Sequence, residues 1–156
     1  MKTILATGGT GYIGSHTCFK LLKKGYKVII LDSLVNSSEN VISKINFLLN
    51  DKNINNNLTF IKGDINDHKL LDHIFKLAKE KYEPISCVMH FAGLKSVSES
   101  LSNPLQYWHN NVVGSIILFK IMEKYECRTV IFSSSATIYQ ISENKLLKES
   151  SPINPI

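Results

Sequence analysis

Short apolar runs alternate with longer amphipathic stretches along the chain. The short runs are almost wholly apolar, as in strands that are buried on both faces of a parallel sheet. The predicted strands are residues 2–7, 27–31, 58–62, 86–91 and 129–132. Apolar residues at helical spacing predict helices over 13–24, 40–49, 67–79 and 105–125. This alternation predicts an α/β domain, a doubly wound parallel sheet with right-handed crossovers.

The segments between these elements are polar and read as loops. They include residues 33–39, the asparagine-rich stretch 50–57, and a polar stretch at 140–151. Clusters of Asn, Ser, Gly and Pro between periodic segments are typical of loops. The regular alternation of strand and helix ends near Ser133.

Length and composition favour one globular domain. The chain has 156 residues, of which 44% are hydrophobic, and no apolar run approaches the ~18 residues of a membrane span. Its three cysteines, Cys18, Cys87 and Cys127, are odd in number and widely spaced, which predicts free thiols in a reducing compartment. The first residues lack the apolar core of a signal peptide. We therefore expect a soluble, cytoplasmic protein without a membrane partner.

The net charge of +5 does not by itself indicate a nucleic-acid surface. Lysines are spread along the chain and Arg128 is the only arginine, whereas nucleic-acid readers cluster lysine and arginine on one face. A nucleic-acid binder remains an alternative on charge alone. No metal site is expected, because His68 and His73 stand five apart and no other ligand has zinc spacing.

A glycine-rich segment follows the first predicted strand and opens the first predicted helix. It contains G-x-G-x-x-G at Gly9, Gly11 and Gly14, and the wider G-x-x-G-x-x-G from Gly8. Glycines permit a tight turn and let a pyrophosphate approach the helix N-terminus, where free N–H groups and the helix dipole attract its charge. The position between strand and helix favours dinucleotide binding over a plain glycine turn.

Asp32 ends the second predicted strand, close to the spacing from the glycines, ~20 residues, that a ribose-binding acid shows. A carboxylate there accepts hydrogen bonds from the adenosine ribose and repels a 2′-phosphate. No lysine or arginine lies between Ser33 and Ser38 to neutralise that phosphate. Asp32 therefore predicts NAD rather than NADP, with a solvated, loop-capping carboxylate as the alternative.

Three further segments follow predicted strands, where ligands bind in doubly wound sheets. Asp64 is either an acceptor for an adenine amino group or a helix N-cap. The small residues of loop 91–95 let backbone approach a cofactor, and Lys95 can reach a phosphate or ribose. The hydroxyls of residues 133–135 form either the polar floor of a pocket or local bonds within a turn.

Together these segments resemble the extended short-chain dehydrogenases/reductases, and within them the UDP-glucose 4-epimerase (UDP-galactose 4-epimerase) family. The resemblance extends over the whole sequence and is carried by residues 7–17, 90–95, 99–100, 104–105, 110–111 and 132–139. The related sugar-nucleotide 4,6-dehydratases usually carry an Asp-Glu pair after the hydroxyl of the fifth strand. Ser135 is followed here by alanine and threonine, so the dehydratase alternative is less favoured.

The resemblance implies a cofactor, a reaction and a set of site residues. In such enzymes NAD stays bound and takes hydride from C4 of a UDP-sugar while a tyrosine base removes the 4-hydroxyl proton. The 4-keto sugar then turns over before hydride returns to its other face. Ser135 would be the catalytic hydroxyl, UDP-glucose and UDP-galactose the substrates, a homodimer the assembly, and galactose metabolism the setting. The implied cofactor-binding residues are Gly8, Gly11, Tyr12, Ile13, Gly14, Asp32, Ser33, Leu34, Asn36, Ser37, Asp64, Ile65, Phe91, Ala92, Gly93, Lys95, Asn111 and Ser135.

The sequence departs from the family at the base. The family carries Asn-Pro-Tyr-Gly-x-x-Lys, but here Asn154 and Pro155 are followed by Ile156 at the tyrosine position, and none of the six tyrosines has a lysine four residues later. We therefore expect residues 1–156 to form an incomplete, Rossmann-type NAD-binding domain that lacks the substrate domain and is inactive alone. The alternatives are a non-enzymatic dinucleotide-binding remnant and another sugar-nucleotide enzyme, such as a 4,6-dehydratase.

Overall fold

The computed structural model describes residues 2–50, 56–81, 83–140 and 146–154. Its strands are β1 Thr3–Thr7, β2 Lys27–Asp32, β3 Leu58–Lys62, β4 Ile85–His90 and β5 Val130–Phe132. Its α-helices are α1 Tyr12–Lys23, α2 Asn40–Leu49, α3 His68–Glu80, α4 Val97–Ser102, α5 Pro104–Trp108 and α6 Gly114–Lys124. Parts of two predicted loops, residues 51–55 and 141–145, lie outside the described residues, as does Ile156.

The five strands form one parallel sheet in the order β3-β2-β1-β4-β5. Thr7, the last residue of the central strand, pairs with Leu31 on one side and His90 on the other. The strand ends are therefore aligned at one edge of the sheet. The order reverses between β1 and β4, which is where doubly wound sheets open a crevice for ligands. The predicted fold class is confirmed.

The core lies in two layers, one on each face of the sheet. On one face, α1 and α2 bury Cys18, Leu22 and Ile45 against β1 and β2. On the other face, α3 and α6 pack on β1, β2 and β4. The predicted apolar face of α3 is confirmed by its buried residues Leu71, Ile74, Phe75 and Ala78. Helices on both faces explain why β1 is buried throughout.

The fifth strand differs from its prediction. The side chains of Val130, Ile131 and Phe132 are 40%, 49% and 53% exposed, so the expectation that every strand is covered on both faces is wrong for β5. Within the described residues β5 pairs with β4 alone and forms an edge of the sheet. An apolar run indicates a strand, but it does not reveal which strand lies at an edge.

The long predicted helix over 105–125 is also corrected. It begins at Pro104 and ends at Lys124, and its middle is a π-helical turn, His109–Val113, between α5 and α6. The short helix α4 was not predicted. Its N-cap is Ser96, whose hydroxyl accepts a hydrogen bond from the backbone N–H of Glu99 at 3.4 Å.

The cysteines are free, as predicted: Cys18 and Cys127 are buried and Cys87 is half-buried. Among residues 2–50, 56–81, 83–140 and 146–154, no helix has the length and apolar character needed to cross a membrane.

Candidate functional site

The loops that follow the strands enclose a cavity of about 330 Å³ at the C-terminal edge of the sheet. Cavities of about 300–1,000 Å³ hold small ligands and cofactors. The predicted site residues that line it are Gly8, Gly11, Tyr12, Ile13, Gly14, Asp32, Ser33, Asn36, Asp64, Ile65, Phe91, Ala92, Gly93 and Lys95. Residues from the ends of four strands thus meet at one place, although they are scattered over the sequence.

The glycine segment forms a tight turn against its neighbours. Gly8 has a φ of +69°, a conformation that side chains rarely adopt, and a Cβ on it would lie 2.5 Å from the amide nitrogen of Ala92. A Cβ on Gly14 would overlap the carbonyl oxygen of Gly8 and lie 2.8 Å from Cα of Gly9. These close contacts bring the first turn of α1 to the wall of the cavity. Its leading N–H groups, which lack partners within the helix, are suited to an anion.

Asp32 is 7% exposed, and both of its carboxylate oxygens accept hydrogen bonds. Oδ2 accepts from the backbone N–H of Thr10 at 3.0 Å. Oδ1 accepts from the backbone N–H of Leu34 at 2.9 Å and from the hydroxyl of Ser37 at 3.1 Å. Leu34 and Ser37 do not line the cavity themselves, and their contact with the site is through these hydrogen bonds to Asp32.

Asp64 lines the cavity, and its N-cap alternative is wrong. The carboxylate of Asp67 caps α3 by accepting from the backbone N–H of Leu70 at 3.0 Å. Asp64 Oδ1 instead accepts from the backbone N–H and the side-chain amide of Asn66, both at 2.8 Å. This local turn holds the carboxylate at the end of β3, beside Ile65.

Loop 91–95 is fixed by a side chain from the π-helical turn. Asn111 Oδ1 accepts from the backbone N–H of Leu94 at 2.8 Å, and its Nδ2 donates to the Leu94 carbonyl at 2.9 Å. Asn111 itself does not line the cavity, whereas Leu94 and Asn110 do. The structure therefore gives Asn111 the role of holding the loop, which its position in the sequence did not indicate.

Ser135 does not line the cavity either. Its hydroxyl lies 2.7 Å from the hydroxyl of Thr137 and accepts from the Thr137 backbone N–H at 3.3 Å, at the start of a 3-10 turn. This is the turn-bonded alternative given for the serine segment. Ser133, the first residue after β5, lines the cavity instead. Gly63, the first residue after β3, also lines the cavity. The position of both residues directly after a strand is the sequence signal that could have identified them.

These features define a Rossmann-type α/β domain with its crevice at the topological switch point of the sheet. The chain belongs to the GDP-mannose 4,6 dehydratase family, whose sequence model matches residues 5–156.

Individual relatives carry a different activity in their names. The chain is 43% identical over 150 residues to a protein of Bacillus subtilis named UDP-glucose 4-epimerase, covering 96% of this chain and 41% of that protein. Solved UDP-glucose 4-epimerases are similar in structure. One from Bifidobacterium longum, in complex with NAD+ and UDP, has a TM-score of 0.85 and 35% identity over 98% of this chain and 43% of its own. One from Stenotrophomonas maltophila, with bound NAD and formylated UDP-arabinopyranose, has a TM-score of 0.85 and 37% identity over 99% of this chain and 43% of its own.

The chain thus spans about two fifths of the length of these relatives. Their names favour the epimerase resemblance and give less support to the dehydratase alternative.

Proposed function

We propose that this chain binds NAD in the cavity at the C-terminal edge of the sheet, as the NAD-binding domain of a UDP-glucose 4-epimerase. The observation that carries the proposal is the convergence of the glycine turn, Asp32, Asp64 and loop 91–95 on one cavity. Each feature suits one part of the dinucleotide. The glycine turn supplies a helix N-terminus for the pyrophosphate, and Asp32 and Asp64 supply carboxylate acceptors for the ribose and the adenine. Loop 91–95 supplies backbone that the nicotinamide end can approach.

The residues of the cavity fit a dinucleotide on their own geometry. The glycine turn leaves no room for a Cβ on Gly8 or Gly14, so the backbone itself forms the wall where a pyrophosphate would approach. A carboxylate oxygen has two lone pairs, and Oδ2 of Asp32 accepts one hydrogen bond, from the backbone N–H of Thr10. The second lone pair of that oxygen is suited to a ribose hydroxyl. Asp32 would therefore hold the ribose, and the first turn of α1 would hold the pyrophosphate.

The proposed reaction is the interconversion of UDP-glucose and UDP-galactose. Bound NAD supplies a reversible acceptor for the hydride at C4 of the sugar. The family resemblance gives the hydroxyl for this chemistry to Ser135, which lies two residues after the cavity-lining Ser133, with its hydroxyl 2.7 Å from that of Thr137. The names of the relatives support this substrate class.

The proposal includes a setting and an assembly. The setting is galactose metabolism in the cytoplasm, and the assembly is a homodimer. Both follow from the resemblance to the epimerase family.

Hydrogen exchange with and without NAD tests the proposed site. We expect NAD to slow amide exchange in residues 11–14 and 91–95, because the cofactor would cover both segments. Exchange in α2, outside the cavity, serves as the internal control and should not change. Protection that is absent from both segments at saturating NAD would contradict the proposal.

A further inference from the structure

His90 is a buried polar residue to which neither the glycine turn nor the carboxylates assign a role. It ends β4 and is 2% exposed. Its ring nitrogens face two hydroxyls: Nδ1 lies 2.6 Å from Thr7 Oγ1, and Nε2 lies 3.0 Å from Ser115 Oγ. The ring therefore links the ends of β1 and β4 to the first turn of α6.

The proton positions in this link follow from one carbonyl group. The hydroxyl of Ser115 donates to the backbone carbonyl of Asn111 at 2.6 Å, since a carbonyl oxygen can only accept. A hydroxyl has one proton, so Ser115 must accept from Nε2 of His90. In the neutral ring Nδ1 is then the acceptor, and the hydroxyl of Thr7 donates to it. The four groups form a chain of hydrogen bonds that runs in one direction, from Thr7 to the Asn111 carbonyl.

The surroundings of the ring favour its neutral form. The rings of Phe119 and Phe132 lie edge-on to it, with centroids 6.4 Å and 5.2 Å away. Burial, assisted by the positive charge of Lys95, lowers the pKa of His90 to about 4. The tautomer is thus set by Ser115 and the charge state by burial.

Both ends of this chain of hydrogen bonds reach the walls of the cavity. Thr7 precedes Gly8, which packs against Ala92 so closely that a Cβ would lie 2.5 Å from the Ala92 nitrogen. Asn111, at the other end, holds Leu94 through both its side-chain oxygen and its side-chain nitrogen. The Asn111 carbonyl lies in the π-helical turn and bonds the Ser115 hydroxyl four residues later. The link therefore ties the glycine turn to loop 91–95.

We propose that His90 is a positioning residue of the cofactor site, held as the Nε2–H tautomer between Thr7 and Ser115. Together with the backbone N–H of Phe91, which donates to the Thr7 carbonyl at 2.9 Å, it holds loop 91–95 against the glycine turn and so supports the fit of the dinucleotide between them. The effect on NAD rests on the proposed function, whereas the tautomer and the ordering of the loop do not.

The first test is the tautomer itself. Long-range ¹H–¹⁵N spectra of the histidine rings at about pH 6.5, below which a free histidine is largely charged, identify the ring state directly. We expect a neutral His90 ring with its proton on Nε2. A proton on Nδ1, or a charged ring, would overturn the assignment.

The second test measures positioning with matched variants. Thr7→Val and Ser115→Ala each remove one hydroxyl, whereas Thr7→Ser keeps a hydroxyl at its position. Ile45→Val is a buried control on the other face of the sheet. We expect the first two to speed amide exchange at Leu94 and to weaken NAD about threefold to tenfold, the range that one lost hydrogen bond gives. Thr7→Ser should bind NAD with an affinity close to that of the wild type, and Ile45→Val should change neither the exchange at Leu94 nor the NAD affinity.

The outcomes separate the two proposals. If the wild-type protein fails to bind NAD but Leu94 exchange still responds to Ser115→Ala, the proposed function fails and the positioning of the loop stands. If wild-type NAD binding is normal, and the hydroxyl variants lower the unfolding temperature without changing Leu94 exchange or NAD affinity, His90 is only structural and the proposal is overturned.

Discussion

Gly14 and Gly8 stand so close that a methyl group on Gly14 would overlap the carbonyl oxygen of Gly8. This contact fixes how near the first turn of α1 comes to the end of β1. The wall of the cavity is therefore made of backbone. The helix α1 can come this close to the turn because neither Gly8 nor Gly14 carries a side chain. An anion at this wall meets N–H groups rather than methyl groups.

A methyl group at this contact should disturb both the fold and the cofactor site. Gly14→Ala should push α1 away from the turn, destabilise the protein and weaken NAD by at least about tenfold, since the pyrophosphate loses its backbone donors. Calorimetric titration at a temperature where the variant remains folded measures the affinity.

The matched control is Gly25, which has a φ of +81° but open space around it, so that a Cβ there would meet no heavy atom within 4 Å. Gly25→Ala should cost roughly 1 kcal/mol of stability through backbone strain and leave NAD affinity unchanged. Equal losses of NAD affinity in both variants would mean that the tight contact has no special role.

Asp32 is predicted to select NAD over NADP. Asp32→Ala should weaken NAD by about tenfold or more, because a charge-assisted hydrogen bond to the ribose is lost, and should weaken NADP less. Asp72→Ala, the same change at a carboxylate on the outside of α3 that pairs with Lys124, should leave both affinities unaltered. An unchanged ratio of NAD to NADP affinity in Asp32→Ala would remove Asp32 from the account of specificity.

His90 is predicted to make stability depend on pH. Its folded pKa of about 4 lies below the usual ~6.5, so the unfolded chain binds the proton first as the pH falls. The stability that neutral His90 supports is complete above pH ~6.5 and is lost progressively down to pH ~4, by up to about 3 kcal/mol.

Denaturant unfolding of wild type and His90→Gln at several pH values measures this effect. The wild-type free energy of unfolding should fall more steeply between about pH 6.5 and 4 than that of the variant, which cannot titrate at this position. Parallel curves over that interval would show that His90 does not titrate as its burial requires.

Cys18 is predicted to be inert in the folded protein. Burial raises the pKa of its thiol to about 12, so at pH 8 only about one molecule in ten thousand carries the reactive thiolate. Iodoacetamide should modify the half-buried Cys87 first and Cys18 only after unfolding, as peptide mapping by mass spectrometry can show. Modification of Cys18 at the rate of Cys87 in native protein would indicate that α1 opens readily.

A protein of these 156 residues is expected not to epimerise UDP-galactose. A positioned general base contributes roughly 10²–10⁴-fold to such a reaction, and no tyrosine here has a lysine four residues later to activate it. A coupled assay should show no turnover above background. Turnover that Ser135→Ala abolishes would mean that another residue serves as the base.

The fold was largely predictable because its elements obey local rules. Runs such as Leu58–Lys62 and the amphipathic face of α3 were placed correctly from periodicity alone. The π-helical turn was not predictable, because apolar residues at helical spacing do not distinguish it from the α-helices on either side. The exposure of β5 was missed because burial depends on the neighbours of a strand, which periodicity does not identify.

The site was predictable to the level of segments but not of individual contacts. Asp32 and the glycines occur at spacings fixed by the strand–turn–helix unit, so they could be located in the sequence. Periodicity places Asp67 inside the helix and leaves Asp64 as a possible cap, whereas the helix begins one residue later and Asp67 is its cap. The link from Thr7 through His90 to Ser115 joins residues far apart in the chain, and no local pattern reveals it.

The most direct test of NAD binding at this site is calorimetric titration of the purified protein with NAD and with NADP, side by side with Asp32→Ala. We expect saturable binding of NAD at one site, weaker binding of NADP, and a smaller difference between the two in the variant. Absence of NAD binding by the folded wild-type protein, or tighter binding of NADP than of NAD, would contradict the proposed role of the cavity.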